Sequence, residues 1–197
     1  MYNDLFEPVT LNGEHCRLEP LKRAHLAGLE KAIRDGELWK LLVTTVPHPD
    51  DLADFYTAAQ SSYQKGEGLT FVTIDHESDS VVGSTRFMSA SFEHKRVEIG
   101  STFLAKSAQR TAINTEAKLL MMSYAFEVLR VNRLELKTDY LNTVSRTAIL
   151  RLGAREEGVL RNHMVMRDGR VRDTVMFSIL ENDWAAVKKG LEEKLNE

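Results

Sequence analysis

Residues 105–130, AKSAQRTAINTEAKLLMMSYAFEVLR, change character half-way along. The stretch opens as a polar loop with neither Gly nor Pro. It closes as a helix whose apolar face is Ile113, Ala117, Leu120, Met121, Tyr124 and Val128. A helix starting at Asn114 or Thr115 leaves its first N–H groups unpaired and turns the positive end of its dipole toward the loop. Such a terminus accommodates an anion. RVEIGSTFL, residues 96–104, reads as a strand running directly into this loop, with Gly100 in its middle.

Outward from that unit, HCRLEPL (residues 15–21) reads as a first strand. Residues 22–34 read as a helix with Leu26, Leu29 and Ile33 on one face, and residues 52–64 as a second carrying Leu52, Phe55, Tyr56 and Ala59. LTFVTID (69–75) and VVGSTRFM (81–88) form a hairpin around HESDS, and residues 96–104 add a third antiparallel member. RLELKTD (133–139) alternates as a strand, and residues 142–152 form a short helix stopped by Gly153. Strands near 158–166 and at 174–180 flank the turn RDGR, and residues 182–195 read as an exposed closing helix. The order β α α β β β α β α β β α predicts an α/β (α+β) domain: a mixed, mostly antiparallel sheet with helices on both faces.

Bulk properties bound the function. The 197 residues fit one domain, residues 1–197, with no repeat and no linker. A net charge of −3 gives no basic footprint, which argues against nucleic acid as the main partner. The single cysteine, Cys16, leaves no internal disulfide and fits a reducing compartment. No apolar run reaches the ~20 residues of a membrane span, and MYNDLFEPVTLNGEH lacks the apolar core of a signal peptide. A cytoplasmic protein without membrane contact is expected. The sequence has no GxxxxGK[ST], no GxGxxG after a strand and no GxSxG. Its six histidines are scattered without metal-ligand spacing, so no metal is expected.

The loop QRTAIN between strand and helix resembles the pyrophosphate-binding element of the GNAT superfamily of N-acetyltransferases, Q/R-x-x-G-x-G/A. Gln109 holds its first place, Ala112 its second and Asn114 its third. Successive N–H groups of such a loop form a nest capped by the helix dipole. Residues 124–184 extend the resemblance to the RimJ/RimL-like branch, the ribosomal-protein-alanine N-acetyltransferases and their relatives. The matching features, in order, are Ala125–Phe126, Arg133 to Lys137, Asn142 with Ser145, Leu152 to Ala154, Glu157 to Arg161 with His163, Asp173, Phe177 to Leu180, and Trp184. The N-terminal half is similar only in its order of elements.

The resemblance implies a GNAT fold whose sheet splays between its fourth and fifth strands, with the coenzyme A half at about residues 96–184. It implies acetyl-CoA as cosubstrate and direct transfer to a primary amine, either a protein N-terminus or a small amine. Backbone around Thr102, Phe103 and Leu104 would pair with the pantetheine arm. Gln109, Arg110, Thr111, Ala112, Ile113, Asn114 and Thr115 would hold the pyrophosphate, with Asn142 binding coenzyme A and Arg146 meeting its adenosine phosphates.

An ammonium has no lone pair, so a carboxylate must take its proton, directly or through water. Glu98, two residues before Gly100, is the first candidate, ahead of Glu157 and Glu93; otherwise it is a solvated strand carboxylate. The tyrosine that many GNAT enzymes carry seven residues after the Asn of the fourth-helix motif is Ile149 here. In the RimJ/RimL-like branch the Ser of N-x-x-S is the proposed proton donor, and the resemblance gives that place to Ser145, its alternative being a helix-capping role. Trp39, Tyr140, Arg161 and His163 are candidates for the acceptor side, or packing residues. Exposed apolar residues on the closing strands could support a homodimer. A non-catalytic acyl-CoA-binding or sensing module is the alternative reading, kept alive by Ala112 and Ile149. A structural partner protein with a vestigial slot is the third.

Overall fold

The computed structural model describes residues 6–196; residues 1–5 of the N-terminal reading above and residue 197 lie outside it. The elements run β1 (Leu11–Asn12), β2 (Cys16–Pro20), α1 (Leu26–Arg34), α2 (Leu52–Gln64), β3 (Leu69–Asp75), β4 (Ser80–Ser91), β5 (Arg96–Leu104) and α3 (Ala112–Ser123). There follow β6 (Arg133–Asp139), α4 (Thr143–Arg151), β7 (Arg155–Val165), β8 (Val171–Leu180) and α5 (Glu181–Leu195). One sheet carries all eight strands in the order β1-β2-β3-β4-β5-β6-β8-β7. Only β5 and β6 are parallel neighbours, because α3 carries the chain back across the sheet between them. The short β1 moves the expected fourth and fifth strands to β5 and β6.

Strands β2–β5 are covered on both faces. Val72, Ile74 and Phe103 face α1 and α2, where Leu29, Ile33, Leu52 and Ala59 close a small core. Leu18, Phe71, Phe87, Val97 and Ile99 face Met121 and Met122 of α3 in the larger core. This two-sided burial explains why LTFVTID is apolar on both parities. The sheet beyond β5 differs. Leu134, Leu136, Phe177 and Ile179 join the large core, while their alternates Arg133, Glu135, Lys137 and Asp139 carry charge on the opposite face.

Three expectations change. The α3 helix starts at Ala112, two residues early, because the Thr111 hydroxyl caps it by accepting the N–H of Ile113 at 3.3 Å. The closing helix is not simply exposed: Trp184 stacks on Phe126 at 5.1 Å between ring centroids, and Leu191 is buried. Strand β7 begins at Arg155 and is exposed along its whole length, as the edge of the sheet. A π-helical turn, Tyr124–Val128, extends α3. The buried Glu116 of α3 accepts the N–H groups of Glu14, His15 and Cys16 at 2.7–2.8 Å, which ties the first strands to the large core.

Candidate active site

The two parallel strands pair only at Arg96–Arg133, Val97–Leu134 and Glu98–Glu135, and then part. From Gly100 onward β5 therefore keeps a row of backbone groups with no strand on that side. On its other side β5 stays paired to β4, with two irregularities, one of them at the splay. Arg86 opposes Gly100 and Ser84 opposes Phe103, so Thr85 alone faces both Ser101 and Thr102. That is a bulge, and its left-handed residue is Ser101 at φ +46°, not Gly100. Gly100 serves a different need: a Cβ there would lie 2.7 Å from the Met88 sulfur.

Glu98 is the last paired residue, at the apex of the splay. It is buried, so the alternative of a solvated carboxylate is excluded. Its Oε2 accepts Lys137 Nζ at 2.8 Å and the Ser89 hydroxyl at 3.3 Å. Its Oε1 lies toward Gly100, 3.2 Å from where a Cβ would stand. The alternative carboxylates are placed less well. Arg133 grips both oxygens of Glu157 and Ser178 donates to one, which together push its carboxyl down to about 2. Glu93 is exposed in the β4–β5 turn, at the end of β5 away from the splay.

After β5, the loop of residues 105–111 is pinned from behind. Asp35 accepts the N–H and hydroxyl of Ser107, and Gln109 turns its amide back onto Leu104 O at 2.9 Å. Gln109 is thus a staple of the loop. Arg110 takes the left-handed turn at φ +63°, so Ala112 needs no positive φ and its methyl costs little. Among the described residues no carbonyl receives the N–H of Arg110 or Thr111. The first-turn N–H groups of α3 add to that row. Asn114 lies inside this turn, past the start of the helix that was expected at Asn114 or Thr115.

The β6–α4 joint is arranged otherwise. Asn142 caps α4, its Oδ1 accepting Ser145 N–H at 3.0 Å. The cap is therefore Asn142, and the half-buried Ser145 keeps its hydroxyl free of that duty. Ile149 is buried in the large core. Arg146 lies over the Tyr140 ring, 4.8 Å from its centroid, and meets Glu156 at 3.4 Å. Tyr140 thus belongs with Arg146 at the start of α4.

The other acceptor-side candidates are dispersed. Half-buried Trp39 packs edge-on to His48 in the α1–α2 connection. Arg161 is exposed on β7, and His163 shares a 3.1 Å hydrogen bond with the Thr174 hydroxyl across a β7 bulge. The sequence reading missed a strap. Arg167 donates to Val46 O and Leu41 O, Arg170 to Leu42 O, and Asn142 to Val43 O. These bonds draw the α1–α2 connection over the ends of β6 and β8. Arg170 also pairs with the buried Asp139 at 2.5 Å. The RDGR turn marked the hairpin, but nothing local showed what its arginines would hold.

Behind the bulge, α3 places Lys118 against Thr102 and Thr85, its Nζ donating to their hydroxyls at 2.6 and 3.1 Å. Among the described residues no carboxylate pairs with it, and burial pushes the ammonium down to about 7. Two cavities, of about 290 and 210 Å³, lie away from the splay; one is lined by Leu152, Gly153 and Val187, the other by Pro20, Tyr56 and Tyr63. The splay is an open cleft between strands. Among the described residues no group of three or more His, Cys, Asp or Glu is placed to hold a metal.

A parallel strand pair parts after three residues, with a helix N-terminus beyond the end of each strand, and the cleft so formed has an open strand edge to which an extended segment can be added. Residues 15–155 match the family described as Acetyltransferase (GNAT) domain, and the chain belongs to that family of acetyl-CoA-dependent N-acetyltransferases. It is 32% identical over 121 residues to p20 of Bacillus licheniformis, named an uncharacterized N-acetyltransferase, over 61% of this chain and 67% of p20. A GCN5-related N-acetyltransferase from Brucella melitensis superposes with a TM-score of 0.84 at 32% identity, over 96% of this chain and 86% of that one. Mycobacterium smegmatis RimJ, solved with CoA-disulfide, has a TM-score of 0.81 over 95% of each chain; at 19% identity the likeness is one of fold. No helix among the described residues is long and apolar enough to cross a membrane.

Proposed function

We propose that this chain transfers the acetyl group of acetyl-CoA directly to a primary amine in a ternary complex, as a cytoplasmic enzyme of RimJ/RimL-like type. The observation that carries this reading is the parting of β5 and β6 just after Glu98. It leaves the backbone of Thr102, Phe103 and Leu104 open on one edge, as strand addition requires. The N–H groups of Arg110, Thr111 and the first turn of α3 suit a pyrophosphate. Acetyl-CoA supplies an acetyl group activated as a thioester.

This chain's residues handle the protons. Glu98 accepts the proton that the acceptor ammonium must lose, through the oxygen that Lys137 leaves unpaired and Gly100 leaves uncovered. The Ser145 hydroxyl donates to the departing sulfur, in the role a tyrosine would fill where Ile149 stands. Arg146 meets the adenosine phosphates from the start of α4. Trp39, Tyr140, Arg161 and His163 remain candidates for the acceptor side, and the acceptor is a small amine or a protein N-terminus. The exposed edge strand β7, with Val159, Leu160, Met164 and Val165, supplies the surface for a homodimer.

The Glu98–Lys137 ion pair and the buried Ile149 favour one rival, a non-catalytic acyl-CoA-binding module. Release of free coenzyme A on adding amines to protein and acetyl-CoA separates the two. Amine-dependent release supports the enzyme; tight binding without release, across a broad amine panel, supports the module.

A further inference from the structure

The charged face of the sheet beside the splay does not balance. Cross-strand register puts Arg86 of β4, Arg96 and Glu98 of β5, and Arg133, Glu135, Lys137 and Asp139 of β6 on this one face. Glu157 and Arg170 reach it through Arg133 and Asp139, and Arg172 of β8 lies on it two residues beyond Thr174, the partner of Asp139. Six cations thus meet four carboxylates. Lys137 holds Glu98, Arg133 holds Glu157 and Glu135, Arg96 reaches Glu135 at 3.8 Å, and Arg170 holds Asp139. Every carboxylate is taken.

Two guanidiniums are left over. Arg172 is 9% exposed, yet its Nε has no hydrogen-bond partner, and no described carboxylate forms an ion pair with it. Burial pulls its ionisation down, while Asp139 and Glu98 oppose that only from a distance. Arg86 opposes Gly100 across the splaying strand, its Nε likewise buried and unpartnered. Its only described contact of this kind is the ring of Phe55 on α2, 5.5 Å from the guanidinium carbon. A buried guanidinium without a charge partner is unfavourable, so the buried Arg172 and the half-buried Arg86 with its buried Nε together call for an anion that the described residues do not supply. Arg86 stands beside the apex, opposite Gly100, and Arg172 lies farther along the same face on β8, where Glu98 still acts on it through space.

We infer that the acceptor carries a carboxylate together with its amine: a free amino acid-type zwitterion, held through the carboxylate by Arg86 and Arg172 while Glu98 faces the amine. The inference rests on the acetyltransferase reading above. Charge pairing of this kind fixes orientation, since a guanidinium offers a carboxylate a planar fork of donors. The strap drawn from the α1–α2 connection across the ends of β6 and β8 closes this side and suits a small acceptor better than a polypeptide.

The test uses the full chain with saturating acetyl-CoA. The twenty common amino acids are compared with their C-terminal amides, with phosphoethanolamine and ethanolamine, and with short peptides free at the N-terminus. At least one amino acid should exceed its own amide by about tenfold or more in kcat/KM, the scale of one charge-assisted contact. Arg172→Gln and Arg86→Gln should each bring that ratio toward one by raising KM for the amino acid, and Arg172→Lys should restore part of it. A phosphoethanolamine preference over ethanolamine that exceeds every amino acid-to-amide ratio would replace carboxylate by phosphate and overturn the inference as stated. Equal rates for acids and amides, or activity on peptides alone, would overturn it while leaving the acetyltransferase reading intact. If no amine is turned over, calorimetry of the same acids and amides against the coenzyme A complex decides: no preference for acids there overturns it. Failure to bind acetyl-CoA at all would instead count against the underlying reading.

Discussion

Two strand–loop–helix units lie side by side in this molecule, and they solve the same problem differently. β5 leads through residues 105–111 into α3, and β6 leads through residues 140–142 into α4. The second joint spends all its donors internally: Tyr140 N–H goes to Asp173 O, Leu141 N–H to Asp139 Oδ1 and Asn142 N–H to Asp139 O. The first leaves the N–H groups of Arg110 and Thr111 unclaimed. A short acceptor side chain, Asp139, ends β6, whereas Leu104 ends β5 and has nothing to offer an N–H group. One joint thus leaves backbone donors open, and the other closes its backbone with the Asp139 and Asn142 side chains and leaves the Ser145 hydroxyl free of capping.

Glu98 stands where the two units part, and its removal should break the comparison most deeply. Glu98→Gln should lower kcat/KM by ~10²–10⁴, the scale of a lost general base. The loss should deepen as pH falls, because fewer acceptor amines are then neutral, and acetyl-CoA affinity should persist. An unchanged rate would take the carboxylate out of the proton path.

Next in size is Ala112→Asp, which should weaken acetyl-CoA by about 10–100-fold by placing a charge beside the pyrophosphate. The same change puts an acid at a helix N-terminus and should leave Tm unchanged or raised. Calorimetry and thermal melting separate the two effects; a fall in both would mean a local fold defect. Ser145→Ala should cost about tenfold in kcat with Tm preserved, since Ser145 does not cap α4. Asn142→Ala should do the reverse at the same joint: a loss of ~1 kcal/mol in stability from the missing cap. If Ser145→Ala lowered Tm as much as Asn142→Ala, the division of labour would be wrong.

The smallest effect concerns Lys118 behind the bulge. Its ammonium is held near 7 in the fold, against an ordinary value of 10.5, so the unfolded chain binds the additional proton between those limits. Stability should therefore rise with pH across that window, and the full cost of burial applies below about pH 7. Lys118→Met should gain most over the native chain at about pH 6 and lose that advantage toward about pH 10. A difference in Tm that does not vary with pH would show that Lys118 is not buried as a free amine.

The order of elements along the chain and the helices of the CoA half were legible, because each rests on periodicity or on a motif contiguous in the chain, and the splay was implied by the family resemblance. Residues 52–64, 69–75, 96–104 and 133–139 have the expected bounds. What was illegible depends on partners far away in sequence. The bulge belongs to Ser101, although Gly100 is the residue that propensity favours, because Thr85 and Lys118 grip Thr102 from two other elements. Lys137 is 39 positions from Glu98, and no local rule pairs them. Arg86 and Arg172 look in sequence like any solvated arginine of a strand. Their isolation shows only once every carboxylate of the face has found another cation.

The most direct test of the central claim is a thermal-shift titration with acetyl-CoA, coenzyme A and, as control, ATP. A ligand that binds only the folded chain adds ~2.7 kcal/mol at about 100 times its dissociation constant. The parted strands predict a rise in Tm with both CoA species and none with ATP. No shift at millimolar acetyl-CoA would contradict the account and reduce the splay to a structural joint.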